Sequence, residues 1–111
     1  MKVLQYEIWL ADLNPRNGTE PGKTRPVVIV QTDLLNNIHL STLICPITTN
    51  VKNEIDLLRV HLKKGQLDDL SDILVDQLKA IDNTRLIKKL GQLTMEQKNK
   101  LKANLRIVMD L

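Results

Sequence analysis

The chain has 111 residues, of which 42% are hydrophobic and 26% charged, with a formal net charge of +3. These are globular values that exclude a disordered chain, and the length suits a single domain, residues 1–111, around one core. Cys45 is the single cysteine, which excludes an intramolecular disulfide and a paired-cysteine zinc site.

The mild positive charge favours anionic partners without naming one. No apolar run approaches the roughly 18 residues of a membrane span. Met1–Tyr6 lacks the long apolar stretch of a secretion signal. The expectation is a cytoplasmic protein with no membrane partner. Only Trp9 and Tyr6 are aromatic, so Leu, Ile and Val must build the core.

Tyr6–Leu13 reads as a strand, with Ile8 and Leu10 on one face and Trp9 and Ala11 on the other. Both faces are apolar, as a largely buried position requires. From Asn14 to Thr24 the pairs Asn14-Pro15, Asn17-Gly18 and Pro21-Gly22 predict a loop. It is long for so small a domain, and such loops are either functional or tolerated excursions.

Pro26–Gln31 contains the β-branched run Val27-Val28-Ile29-Val30 and reads as a buried strand, with Pro26 at its first position. Leu40–Ile47 is a further strand in which Pro46 limits regular pairing. The polar segment Thr48–Asn53 follows it, and Leu57–Leu62 is a shorter strand. Asp72–Ala80 alternates, with Ile73, Val75 and Gln77 on one face and Leu74, Asp76 and Leu78 on the other, so Asp76 is expected beside two leucines. Ile81–Leu90 fits a helical turn or a short strand.

Thr94–Met109 is predicted helical. Thr94 and Gln97 fit a capping box, and Leu101, Leu105 and Val108 recur at helical spacing. Lys98, Lys100, Lys102 and Arg106 project mostly elsewhere, as a solvated face or as phosphate contacts. About five strands followed by a helix suggest a small, partly open barrel with the helix packed on it.

The usual catalytic signatures (P-loop, HExxH, GxSxG, dinucleotide fingerprint) are missing. His39 and His61 lie in apolar, strand-like sequence and read as partly buried structural residues rather than an acid/base pair. Cys45, between Ile44 and Pro46, reads as a small buried apolar residue. Asp68, Asp69 and Asp72 are simpler as solvated turn residues than as a metal site. Polar residues at strand ends remain: Glu20, Lys23, Thr24 and Arg25 before the Val27 strand, and Thr48 and Thr49 after Ile47. An Arg and a Thr hydroxyl aimed at one place make an anion site suited to phosphate. By spacing alone, Arg25 is equally a structural ion-pair partner for Glu20.

The blocks Trp9–Pro15 and Gly18–Val30 (GTEPGKTRPVVIV) resemble the opening of the MazF/PemK/Kid toxin family. Pro46–Asn50 resembles its second block. Asp76–Asp82 with Arg85-Leu86 resembles its third. The resemblance implies a mainly β fold, a small SH3-like (CcdB/PemK-like) β-barrel with a C-terminal α-helix. It also implies a homodimer, cleavage of single-stranded RNA (mRNA) at short sequences, and a cognate antitoxin, with the antitoxin-bound complex acting on operator DNA.

By motif position Arg25 and Thr48 are the expected catalytic pair, and Glu20 falls where some members place an acid/base carboxylate. Asn14, Arg16, Thr19, Lys23, Thr24, Thr49, Asn50, Asp76 and Gln77 are the expected RNA-binding residues. The implied chemistry is 2′-OH transesterification giving 2′,3′-cyclic phosphate and 5′-OH ends, with no metal and no cofactor. CcdB-like proteins share the barrel but bind DNA gyrase, so a non-enzymatic poison or a nucleic-acid-binding module on the same fold is the alternative.

Two positions depart from the family pattern. A glycine usual before the acidic residue ahead of the first strand is Tyr6 here, followed by Glu7. The Kid-branch arginine two positions before the third-block Asp is Leu74 here.

Overall fold

The fold follows from where each apolar run finds a partner. In the computed structural model, which describes residues 2–13, 23–63 and 65–111, the strands are β1 (Glu7–Asp12), β2 (Thr24–Ile29), β3 (Ser41–Thr48), β4 (Arg59–Leu62), β5 (Ser71–Leu74), β6 (Lys79–Asp82) and β7 (Leu86–Gln92). Helix α1 covers Met95–Met109. The strands form one 7-stranded sheet in the order β4-β5-β3-β2-β1-β7, with β6 also on β3. The fold is mainly β with a C-terminal helix, as expected. The sheet is an open path, however, because β4 and β7 do not pair and no barrel closes among the described residues.

Both faces of β1 are buried, as its sequence demands. Ile8 joins a cluster with Val28, Cys45, Ile73 and Leu101. Trp9 and Ala11 join a second cluster with Val27, Ile29, Ile44 and Leu86. The sheet therefore separates two aliphatic cores, each fully buried Ile, Leu or Val contributing roughly 1.5–3 kcal/mol.

Strand β2 starts at Thr24, two residues before the predicted Pro26, because β1 is long enough to pair with Pro26, Arg25 and Thr24. Pro26 is thus inside the strand. Its missing N–H is tolerated because the ladder to β3 begins only at Val27.

The predicted Asp72–Ala80 strand is broken. A 3-10 turn at Val75–Gln77 separates β5 from β6. β3 explains the break: β6 pairs with it through Ile44, β5 from Ile47 on, and Cys45-Pro46 lies in the gap. Pro46 has no N–H to offer a ladder there. Val75 turns into the core instead and donates its N–H to the Leu58 carbonyl at 3.1 Å. The ambiguous stretch after Ile81 resolves into the end of β6, a 3-10 turn at Asn83–Arg85, and β7.

Helix α1 begins as its sequence predicts, with Thr94 and Gln97 bonding reciprocally in a capping box. Its buried stripe differs from the expected one. Gln97, Leu101 and Asn104 are buried, Leu105 is half-buried, and Val108 is exposed. Asn104 is turned inward because it donates to the carbonyls of Asp56 and Arg59.

Tyr6 has φ 70°, the left-handed region that glycine adopts without cost. This gives a physical reason for the glycine that the resembled family usually carries there. The strained backbone is held by Tyr6 N donating to Ile29 O at 2.7 Å and Leu93 N donating to Tyr6 O at 3.0 Å.

Candidate active site

The β2–β3 register runs towards the expected catalytic pair. Val27 faces Pro46 and Ile29 faces Ile44. Carried two residues further, the same register sets Arg25 opposite Thr48. The other ladders continue the row, with Thr48 opposite Asp72 and Asp72 opposite His61. Directly paired residues on an antiparallel sheet share a face, with neighbouring Cβ atoms about 5 Å apart. Thr48, Asp72 and His61 therefore form one polar row across three strands, and the continued β2–β3 register adds Arg25 at its end.

Each member sits in a different environment. Arg25 is exposed, and among the described residues its side chain makes no ion pair or hydrogen bond. Thr48 is half-buried. Its Oγ1 accepts the Asn50 N–H at 3.1 Å, which fixes the hydroxyl while its own proton goes to no described acceptor. Guanidinium N–H groups and a hydroxyl proton converging on one place can hold the oxygens of a phosphodiester.

Asp72 is buried in strand β5 and is not a solvated turn residue. Its Oδ2 accepts from Lys52 N at 3.0 Å and Arg59 Nη1 at 3.1 Å, and its Oδ1 meets His61 Nδ1 at 2.6 Å. Burial alone would raise its pKa, but these donors outweigh that and hold it below the ordinary carboxylate value. The Asp72 bond raises the His61 pKa, against burial and with help from Asp56, whose Oδ1 lies 3.0 Å from Nε2.

Of the other expected site residues, Lys23 and Thr24 are exposed at the start of β2. Thr49 and Asn50 are exposed just past β3. Thr49 lines a cleft of about 440 Å³ with Leu10, Pro26, Ser71 and Lys88. By strand alternation Leu10 and Pro26 face away from Ala11 and Arg25, so Thr48 and Thr49 serve opposite faces. Asp76 and Gln77 are exposed in the 3-10 turn beside Cys45-Pro46, outside the polar row. The expectation that Asp76 sits on a leucine face does not hold. Asn14, Arg16, Thr19 and Glu20 lie outside the described residues.

One further reading changes and two stand. His39 is exposed, bonding Ser41 Oγ at 3.1 Å, and is not partly buried. Asp68 and Asp69 are exposed in a bend, as the solvated reading expects, unlike the buried Asp72. Cys45 is buried as expected, and burial first, then the charge of Asp76, pushes its thiol up to about 12, so it is no nucleophile.

Sequence reasoning missed Arg59, His61 and Asp72 as a unit. Alternation in Arg59-Val60-His61-Leu62 was a usable signal, since it puts both basic residues on one face. Their common partner, Asp72, is recognisable only once β4 and β5 are paired.

The fold is shared with several solved toxins. A MazE-MazF structure (Form-II) from Deinococcus radiodurans matches with a TM-score of 0.85 at 17% identity, covering 100% of this chain and 98% of that one. The Mycobacterium tuberculosis toxin MazF-mt6 matches with a TM-score of 0.79 at 24% identity, covering 95% and 97%. A curated Endoribonuclease MazF from Staphylococcus epidermidis is 37% identical over 90 residues, 79% of this chain and 75% of that protein. The family model for PemK-like, MazF-like toxins of type II toxin-antitoxin systems matches residues 4–109, and the chain belongs to that family.

Proposed function

We infer that this protein, an endoribonuclease toxin by family and by its 37%-identical relative, cuts single-stranded RNA at short specific sequences without a metal. What supports this reading is the β2–β3 register, which, continued two residues past Val27 and Pro46, aligns Arg25 with Thr48, and the Arg25 side chain, unengaged among the described residues.

In the proposed reaction the ribose 2′-oxygen attacks the adjacent phosphorus and loses its proton to a base. The P–O5′ bond then breaks, and the departing 5′-oxygen takes up a proton. The products are a 2′,3′-cyclic phosphate and a 5′-OH. Arg25 and Thr48 stabilise the extra charge on the phosphoryl oxygens. Glu20 is the proposed proton carrier. Lys23 and Thr24, with Asn14, Arg16 and Thr19 of the preceding segment, and Thr49, Asn50, Asp76 and Gln77 contact the RNA. Unstacked bases are read at their edges, the usual mode for single-stranded RNA.

The whole chain, residues 1–111, acts as one domain in a cytoplasmic homodimer. A cognate antitoxin neutralises it, and the antitoxin-bound complex binds operator DNA; a mycobacterial endoribonuclease has been solved in complex with its cognate antitoxin. Primer extension on a long RNA, with EDTA present, is the test. Wild type should leave discrete stops with 2′,3′-cyclic ends, and Arg25→Ala should leave none at matched times. Uncut RNA, or cutting abolished by EDTA, would overturn this reading.

A further inference from the structure

The segment that leaves Thr48 has little apolar anchorage. From Asn50 to Leu57 only Val51 is even half-buried. Fixing such a stretch costs roughly 1–2 kcal/mol of backbone entropy per residue, and hydrophobic burial does not offset it here. Polar contacts hold it instead, and they converge on Asp72. Arg59 Nη1 donates to the Asn50 carbonyl at 2.6 Å as well as to Asp72. Lys52 N donates to Asp72 directly. His61 bridges Asp72 and Asp56 through its two ring nitrogens. The segment is thus tied at Asn50, Lys52 and Asp56 to one wholly buried carboxylate that sits directly across from Thr48.

We propose that Asp72, acting through Arg59 and His61, is a positioning residue that fixes the backbone from Thr49 to Asp56 and thereby sets which RNA sequence the enzyme accepts. The proposal rests on the nuclease function inferred above and assigns part of its specificity to a cluster that need not touch the scissile bond. The clamp also senses pH. Carboxylates face both ring nitrogens of His61, so both must carry protons for the bridge to hold. Loss of one proton sets a lone pair against a carboxylate, and the exposed Asp56 is released first. Arg59, Lys63 and, from α1, Glu96 and Lys100 are the other charges around His61.

The test compares two short RNAs, the word preferred by wild type in primer extension and a single-base variant of it. The readout is the ratio of their kcat/KM values, which does not depend on the fraction of enzyme folded. Asp72→Asn should lower this discrimination about tenfold, the size of one lost charge-assisted hydrogen bond. Arg59→Gln, at a less buried position, should lower it in the same direction and serves if Asp72→Asn does not fold. In wild type the ratio should also fall as pH rises through the raised pKa of His61. Unchanged ratios in a folded variant, with wild type cutting normally, overturn the positioning role alone. A wild type that cuts no RNA overturns the nuclease reading and this inference with it.

Discussion

Arg25 and Arg59 flank the same polar row, and the fold treats them in opposite ways. Arg25 stands exposed at the rim of β2, unengaged by any described residue. The Arg59 side chain is 14% exposed, and its Nη1 is shared between a backbone carbonyl and the buried Asp72. A cation that must receive an arriving phosphate cannot already be neutralised, whereas one that holds a loop must be. The difference matches the roles proposed for them, Arg25 left open for phosphate and Arg59 engaged in holding the chain.

The sharpest way to break this comparison is Arg25→Ala. Removal of a transition-state donor should lower kcat/KM by roughly 100- to 1,000-fold. Stability should stay within about 0.5 kcal/mol, as for other surface substitutions. Single-turnover cleavage with a parallel urea melt measures both. A large loss of stability would make Arg25 architectural and erase the contrast.

Asp72→Ala should invert the pattern. It leaves Arg59 and His61 facing a site with no carboxylate, and denaturant melts should record a loss of about 2–3 kcal/mol, below the cost of breaking a fully buried pair because both partners reach solvent. Thr94→Ala, which touches neither arginine, removes the helix N-cap and should cost about 1 kcal/mol. Its discrimination between RNA words should match wild type, so a changed cutting pattern would show that any loss of stability blurs specificity.

The smallest effects appear with pH. Asp72 has a lowered native pKa, so its contribution is present above the ordinary value of 3.8 and is lost as pH falls through the native one. His61 has a raised native pKa, so its contribution is present below 6.5 and is lost as pH rises through the native one. Denaturation midpoints against pH should flatten on the acid limb in Asp72→Asn and on the neutral limb in His61→Gln. Arg25→Ala should leave the shape of both limbs as in wild type.

Local chemistry made several parts readable in the chain itself. The Val27–Val30 run is too β-branched to be other than a strand. The Thr94/Gln97 spacing marks a helix start whatever surrounds it. The GTEPGKTRPV block pointed to Arg25, and the Pro46–Asn50 block to Thr48. These signals are legible because side-chain period, capping and turn chemistry act within a few residues.

Distance in the chain is what hid the rest. Only the ladder of Val27–Ile29 against Ile44–Pro46, carried on by two residues, aligns Arg25 with Thr48. The alternation of Asp72–Ala80 predicts one strand, yet Pro46, on another strand, dictates where it breaks. An aspartate beside a serine looks solvated in sequence, and only the pairing of β4 with β5 supplies the two basic side chains that let Asp72 be buried. Residue types and their periods thus decided which elements form. Register and the burial of charge depend on partners that only the folded chain brings together, so tertiary structure decided which polar groups are left open and which hold the chain in place.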